Sequence, residues 1–392
     1  MTDARRRWLL VAGAALAMGV AGTYQFAWSS IRVALGGRIG APEAALGTVF
    51  TVFVVLQTLS QFPAGWVRDR YGPGLPLAVA APLLAVGYAG VALASDPLGA
   101  ALAYAVGGVG AGTAYTVAVN TPVKWFDERR GLATGVVTMA YGGLSFLLIP
   151  ALRRGTARDF PGTLLALGAL TGVAVLAVGV ALRDPEDGDD AHGGSGSGTT
   201  HTWRETIRTW QFWLLYGIFV VVNGVGLMLI GKVVALAEAL GLPGGAATAG
   251  ASFLALGEAG GLIVVGHLSD RLGRERTLAA SLVVAGIATA GLVAAGEAGL
   301  RLAFVVAVAA AAFFRSPAFV VVPSLVGSYY GVAHSSENYA ALYTAKLWGG
   351  VFGGAVASSL VVALGWGRTF LLGGALLAVA GLATLLLRPV EG

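Results

Sequence analysis

Cysteine is absent from this sequence of 392 residues, and charged residues make up only 11% of it. The absence of cysteine excludes disulfide bonds and thiolate metal sites. The four histidines are scattered and do not have the spacing of a metal-binding motif. Soluble proteins usually carry about 25% charged residues, so the shortage of charge argues against a soluble globular protein. We expect no metal and no cofactor.

Long apolar runs take the place of the missing charges, since 56% of the residues are hydrophobic. Ten of these runs contain no charged residue. Two further runs, 246–266 and 302–328, carry one charge each, Glu258 and Arg315. A helix needs about 20 apolar residues to cross a bilayer, and unpaired backbone groups are not tolerated there. We therefore predict an all-α membrane protein with twelve transmembrane helices, spans 1 to 12. The ten runs without Asp, Glu, Lys or Arg are 8–31, 44–67, 71–95, 97–123, 131–152, 160–182, 209–231, 277–296, 347–367 and 369–387.

The distribution of basic residues predicts the orientation. An even number of spans puts both termini on one side, and the loops and tails of that side carry fifteen Lys and Arg against seven on the other. The positive-inside rule then places both termini in the cytoplasm, in a plasma-membrane protein. The basic start and apolar run resemble a secretory signal, but the run continues to Ile31, so we interpret it as span 1.

The sequence also indicates an internal duplication. The stretch "GWVRDRYG" begins at Gly65 and "GHLSDRLG" at Gly266, an offset of 201 residues, and each follows an even-numbered span. Residues 184–206 are polar and rich in glycine and serine, which is typical of a linker. We therefore predict two six-helix bundles, residues 1–183 and 207–392, related by pseudo-symmetry and joined by a cytoplasmic linker.

These repeated loops resemble the major facilitator superfamily. The resemblance implies a central cavity between two bundles that opens alternately to either side of the membrane. It also implies that a loop motif holds the bundles together on the cytoplasmic side. The alternative is that these residues only cap helices and set topology. The four residues concerned are Asp69, Arg70, Asp270 and Arg271.

Three further stretches resemble the oxalate/formate antiporter family, a neighbour of the monocarboxylate transporters. They are "GTYQFAWSS" at 22–30, "VKWFDERRGLATG" at 123–135 and "ENYAALYTAKLWGGVFGG" at 337–354. The resemblance implies that Lys346 binds a substrate carboxylate. Span 8 departs from that family, which places an arginine in this helix, because here it carries Glu258 and no arginine before the loop. The second cation within a span is instead Arg315, in span 10.

Charged residues within a membrane are candidate functional residues by default. We predict that Lys346 and Arg315 bind substrate and that Glu258 is a proton-coupling group. The alternatives are that Lys346 extends its ammonium to the membrane surface and that Glu258 forms a structural ion pair with Arg315. The offset of 201 residues makes Gln57 the uncharged counterpart of Glu258. Lys232, near the end of span 7, is expected to be an interfacial anchor.

Three aromatic residues, Tyr24, Trp28 and Tyr141, are candidates for the cavity wall, although aromatic residues in membrane bundles commonly serve packing alone. Tyr141 lies near the counterpart of Lys346, where its hydroxyl is placed to donate to a carboxylate.

The function predicted from these residues is secondary active transport of small organic anions, by antiport or proton symport. The alternatives are a carrier of an unrelated solute and a membrane sensor built on the same fold. An enzyme is not expected, because the sequence offers no nucleophile–base pair or carboxylate dyad. No G-x-x-x-x-G-K-[ST] motif supports use of ATP. The expected partners are a small carboxylate, the bilayer and protons, with no nucleic acid and a monomeric functional unit.

Overall fold

The computed structural model describes residues 3–125, 130–183, 201–331 and 335–389, and in these residues every regular element is helical. Leucine, alanine and valine dominate the helices, whose backbone groups bond internally and so need no water. The helices are Asp3–Phe26, Trp28–Ile39, Glu43–Tyr71, Gly74–Leu93, Pro97–Trp125, Arg130–Arg158, Phe160–Ala181, Trp203–Thr206, Trp210–Ala239, Gly244–Leu272, Arg274–Glu297, Arg301–Arg315, Ala318–Tyr330, Ser335–Tyr343, Ala345–Val351 and Ala357–Leu364, with Trp366–Thr384 last and a π-helical turn at Phe352–Val356.

Within the described residues, twelve segments are long and apolar enough to cross a membrane, which confirms the predicted number. The side that holds both termini is called the proximal face, and the opposite side is called the distal face. Most of the predicted linker, residues 184–200, lies outside the described residues. Spans 1 to 12 are Arg7–Phe26, Glu43–Arg68, Gly74–Leu93, Pro97–Thr121, Ala133–Arg158, Phe160–Ala181, Trp210–Ala239, Gly244–Val264, Arg274–Glu297, Arg301–Tyr330, Asn338–Leu364 and Trp366–Thr384.

The two halves of the chain repeat one packing pattern. In the N-terminal half, span 1 packs on span 5, span 2 on span 4, and span 3 on spans 4 and 6. In the C-terminal half the same pairs recur six spans later, as 7 with 11, 8 with 10, and 9 with 10 and 12. The recurrence agrees with the duplication inferred from the sequence.

The halves meet along two seams, one between spans 2 and 11 and the other between spans 5 and 8. Glycines allow the backbones to approach closely at both seams. A Cβ on Gly354 would lie 2.8 Å from the carbonyl oxygen of Gly47, and a Cβ on Gly142 would lie 2.5 Å from that of Ala255.

Spans 10 and 11 are not continuous helices. Pro317 has no backbone N–H, and the helix of span 10 ends at Arg315 and begins again at Ala318. Span 11 breaks at Thr344 and contains the π-helical turn. In that turn the N–H of Ala355 donates to the hydroxyl of Thr51 at 2.9 Å. This bond ties the turn to the other half, and the backbone of span 11 is irregular on both sides of Lys346.

Candidate functional site

A cavity of about 920 Å³ lies between the two halves. It extends to residues near the proximal ends of spans 5, 8 and 10, such as Thr134, Ser269 and Ser324, and its deepest residue in span 7 is Ile230. The bundle is therefore open toward the proximal face. The polar and charged side chains that line the cavity are Gln25, Tyr115, Thr134, Thr138, Tyr141, Asn223, Glu258, Ser269, Arg315, Ser324, Tyr339, Tyr343 and Lys346.

Lys346 reaches this cavity from the short helical segment between the Thr344 break and the π-helical turn. Its side chain is buried, with 5% of its surface exposed. Its ammonium donates to Oε1 of Gln57 in the other half at 3.2 Å and lies 5.9 Å from the ring centroid of Tyr343. In the part of the chain that the structure describes, no carboxylate lies within salt-bridge distance of Lys346.

A chain of hydrogen bonds continues from Lys346 into the N-terminal half. Nε2 of Gln57 donates to the hydroxyl of Tyr141 at 2.9 Å, and that hydroxyl donates to Oε1 of Gln25 at 2.9 Å. The ring of Tyr115 packs edge-on against that of Tyr141, with 5.4 Å between centroids. The N-terminal half thus faces the ammonium with neutral polar groups.

Arg315 and Glu258 form a buried ion pair, with 2.6 Å between Nη2 and Oε2. Nη1 of Arg315 is 3.5 Å from the carbonyl oxygen of Val222, and its Nε is buried without a hydrogen-bond partner. Gly226 makes room for this arrangement, because a Cβ there would overlap the guanidinium. The arginine therefore has one strong partner and one donor still unused.

The charge of the cavity belongs to one half. Glu258, Arg315 and Lys346 are the charged residues among those described as lining it, and all three lie in the C-terminal half. Arg315 and Glu258 neutralise each other, which leaves the single positive charge of Lys346. The distance from Lys346 to Gln57 also shows that the ammonium points into the bundle and not toward the membrane surface.

Tyr24 and Trp28 lie outside the described lining of the cavity. Tyr24 is fully buried in the N-terminal half, where its hydroxyl donates to the carbonyl oxygen of Leu84 and its ring stacks on that of Tyr88 at 3.9 Å. Trp28 packs against Phe50, with 6.0 Å between centroids. In this conformation both are packing residues, and the neighbour of Tyr24, Gln25, faces the cavity instead.

Three residues of the predicted cytoplasmic gating motif, Asp69, Asp270 and Arg271, have side chains outside the described part of the structure. Arg70 is exposed, and its guanidinium lies 4.2 Å from the ring centroid of Trp66 in the same helix. The gating role of the motif stays a prediction.

A second group of charged residues joins the two halves at the distal face, and it was not predicted from the sequence. Glu43 of span 2 forms ion pairs with Arg32, in the helix that follows span 1, and with Lys232 of span 7. Lys232 is only 2% exposed, so the expectation that it anchors the protein at the membrane interface is wrong. An exposed pair, Arg153 with Glu238 at 3.1 Å, also joins the halves near this face.

Sequence reasoning found the three cavity charges because charge is rare within the spans. It gave Gln57 no role beyond that of a counterpart and did not connect Glu43 with Lys232. Gln57 lies 289 positions from Lys346, and Glu43 lies 189 positions from Lys232, so neither contact is visible as a local pattern. The sequence signal that identified Gln57 was its position, 201 residues before Glu258, where the duplication places the counterpart of Glu258.

Known proteins resemble this chain in sequence. The sequence pattern of the Major Facilitator Superfamily matches residues 9–295 and 220–392. An oxalate:formate antiporter from Oxalobacter formigenes is 27% identical over 370 residues, which are 93% of this chain and 88% of that protein. An uncharacterized MFS-type transporter of Escherichia coli, YhjX, is 25% identical over 343 residues, 86% of this chain and 84% of that protein.

Among solved structures, the chain resembles a bacterial homologue of the human lysosomal transporter Spinster, crystallised in an inward-facing and unoccupied conformation. The TM-score is 0.78 at 14% identity, with 97% of this chain and 96% of that chain covered. At this identity the likeness supports the fold alone. Together with the twelve apolar helices, these matches show a multi-pass membrane carrier and not an enzyme, and the chain belongs to the Major Facilitator Superfamily.

Proposed function

We propose that the chain is a secondary active transporter of small organic anions and that the ammonium of Lys346 binds the substrate's carboxylate. The observation that carries this proposal is a buried ammonium, in a cavity between the halves, whose described hydrogen-bond acceptor is a neutral amide oxygen. Burying a charge without a charged partner is unfavourable. A carboxylate that enters the cavity supplies the missing charge and a stronger, charge-assisted hydrogen bond.

The net charge of the cavity favours one carboxylate at a time. The Arg315–Glu258 pair is neutral as a unit, so a monocarboxylate balances Lys346 and a dianion brings one negative charge in excess. Nε of Arg315, buried and without a partner, is a donor for a second oxygen of the anion. The hydroxyl of Tyr141, which now donates to Gln25, is a neutral donor on the opposite wall.

Glu258 is the group that we assign to proton coupling. Protonation of Glu258 removes the negative charge that balances Arg315, so the cavity then carries the two positive charges of Arg315 and Lys346. Binding of an anion and binding of a proton therefore support each other electrostatically. If Glu258 remains ionised throughout, the same site suits exchange of one anion for another.

We further propose that the proximal face is cytoplasmic and that the protein acts as a monomer in the plasma membrane. The excess of basic residues in the proximal loops and tails supports this orientation.

The proposal is tested with purified protein in liposomes, by uptake of labelled formate, acetate, lactate, pyruvate and oxalate. Lys346→Gln removes the charge and keeps a polar side chain, so we expect uptake to fall by about tenfold or more, the range for a hydrogen bond to a charged group. Lys346→Arg, which keeps the charge, serves as the matched control and should retain part of the activity. Melting temperatures verify that all variants are folded.

Uptake by Lys346→Gln at the parent's rate would rule out the assigned role of the ammonium. Absence of any anion uptake by the parent would exclude the transport proposal itself. The same assay at several pH values tests Glu258→Gln, which keeps a hydrogen-bonding group beside Arg315. We expect this variant to lose the pH dependence of uptake, and an unchanged pH profile would reject proton coupling through Glu258.

A further inference from the structure

The group at the distal face has the composition of a carboxylate-binding site. Oε1 of Glu43 accepts from the ammonium of Lys232 at 3.0 Å and from the hydroxyl of Ser358 at 3.1 Å. The ammonium also donates to that hydroxyl at 2.5 Å. Arg32, only 1% exposed, binds the other oxygen of the same carboxylate. Two cations and one hydroxyl therefore surround a single carboxylate.

These partners belong to different halves. Arg32 and Glu43 lie in the N-terminal half, eleven positions apart, whereas Lys232 and Ser358 lie in the C-terminal half. When the distal face opens, the carboxylate of Glu43 stays with Arg32 and leaves Lys232. Lys232 and Ser358 then remain as an ammonium and a hydroxyl without an anion, on the half that carries the cavity charges.

Lys232 lies close to the cavity along the axis of span 7, although it faces spans 2 and 11 and not the side of span 7 that lines the cavity. Ile230, two residues earlier in span 7, lines the cavity, and Gly226 packs against the guanidinium of Arg315. With a rise of 1.5 Å per residue, Lys232 lies about 9 Å beyond Gly226 along the helix. An anion at Lys232 is therefore separated from the level of Arg315 by less than two turns of span 7, and it reaches the cavity along the seam between spans 2 and 11, where Lys346 meets Gln57.

We propose that Lys232 and Ser358 form a distal binding site for the substrate's carboxylate, which the carboxylate of Glu43 occupies whenever the distal face is closed. This inference rests on the proposed transport of organic anions. Glu43 acts as an internal substitute for the substrate. Its binding to Lys232 seals the distal face, and its departure uncovers the first cation that an anion meets from that side.

The test separates binding by Lys232 from its role in holding the face closed. Both Lys232→Gln and Glu43→Gln break the inter-half ion pair, so a role in closure alone makes them behave alike. The informative comparison is therefore made in the Glu43→Gln background, where the pair is already broken. Membrane vesicles of both orientations, containing the full chain, give KM for labelled formate from the distal and the proximal face separately.

We expect Glu43→Gln to leave the distal KM unchanged or lower it. Adding Lys232→Gln to this variant should raise the distal KM about tenfold or more, as for loss of a charge-assisted hydrogen bond, and should change the proximal KM less than about twofold. Adding Ser358→Ala instead removes a donor without changing charge and should raise the distal KM by a smaller factor. This last variant excludes a purely long-range effect of the lysine charge.

The inference is overturned if adding Lys232→Gln leaves the distal KM unchanged or lowers it. It is also overturned if the distal and proximal KM values rise together. A failure of the underlying proposal gives a different result, because the parent protein would then carry no carboxylate from either face.

Discussion

Lys346 and Gln57 meet across the seam between spans 2 and 11, and under the proposed function this contact makes Gln57 a competitor of the substrate. The amide oxygen accepts from the ammonium at 3.2 Å, where a carboxylate oxygen would accept more strongly. In the empty cavity the ammonium of Lys346 therefore has a hydrogen bond to Gln57, and an entering anion can displace that amide oxygen.

The competition predicts opposite effects for two substitutions of Gln57. Gln57→Glu places a permanent carboxylate beside Lys346, so we expect anion uptake to fall by about tenfold or more. Gln57→Leu removes the competitor at similar volume, and uptake should persist with an equal or lower KM. Liposome uptake of formate measures both. Rapid uptake by Gln57→Glu would contradict the pairing of Lys346 with substrate.

At this scale the sequence identified the charged residues of the cavity and Tyr141 on its wall, whereas Tyr24 and Trp28, also expected there, are packing residues in this conformation. Lys346, Arg315 and Glu258 stand out because a charge within a span needs a cavity or a partner. Tyr24 offers no such contrast, since an aromatic ring is as stable in the packed interior of a membrane bundle as on a cavity wall. Consecutive residues of a helix point about 100° apart, so a stretch of residues does not reveal which neighbour faces the cavity.

The segment of span 11 that carries Lys346 is held against span 7 by close glycine contacts. A Cβ on Gly353 would lie 2.8 Å from the Cβ of Leu227, and a Cβ on Gly349 would lie 3.0 Å from the backbone of Asn223. The packing of two helices of the same half therefore positions the ammonium, although the backbone on both sides of it is irregular.

Gly353→Ala tests this packing. The added methyl group forces spans 7 and 11 apart, so we expect a loss of roughly 1–3 kcal/mol of stability and a lower melting temperature. Gly217→Ala, in span 7, is the matched control, because a Cβ there meets nothing within 4 Å. Its melting temperature should stay the same or rise slightly, since alanine favours helix over glycine. Equal melting temperatures for the two variants would contradict the packing argument.

Helix existence could be predicted from the sequence, whereas interruptions within helices could not. Apolar length alone determines a span. The π-helical turn is hydrogen-bonded to Thr51 of the other half, and no local pattern in span 11 predicts that contact. The break at Pro317 is the exception, because proline removes a backbone donor wherever it stands.

The molecule as a whole is open at the proximal face and closed at the distal face. Among the described residues, two ion pairs join the halves there: Glu43–Lys232, in which the Lys232 side chain is only 2% exposed, and Arg153–Glu238, in which the Glu238 side chain is 38% exposed. Removing one partner of a buried pair is far more costly than breaking an exposed one, which contributes about 0–1 kcal/mol.

Glu43→Gln should therefore shift the protein toward a conformation open at the distal face. Val54 is fully buried in the seam between spans 2 and 11, and the chain has no native cysteine, so Val54→Cys provides a single labelling site. We expect Glu43→Gln to increase labelling by a membrane-impermeant maleimide from the distal side several-fold. Arg153→Gln, the matched control, should have little effect. Equal labelling in the two variants would argue against the closing role of Glu43.

The architecture of the whole molecule was the part most fully predictable from the sequence. The bilayer leaves few solutions for the backbone, and the repeated loop motif at Gly65 and Gly266 revealed the duplication. The conformation was not predictable, because open and closed states share the same spans and differ only in which distant residues touch.

The confinement of the cavity's charges to one half has a consequence for the evolution of selectivity. Span packing is the same in both halves, yet among the described lining residues only those of the second half present charges to the cavity. A relative could thus acquire a cargo of opposite charge by exchanging three side chains, Glu258, Arg315 and Lys346, while the partner bundle keeps its surface of amides and phenols. Selectivity for the charge of the substrate can then change without altering the surfaces along which the two halves contact each other.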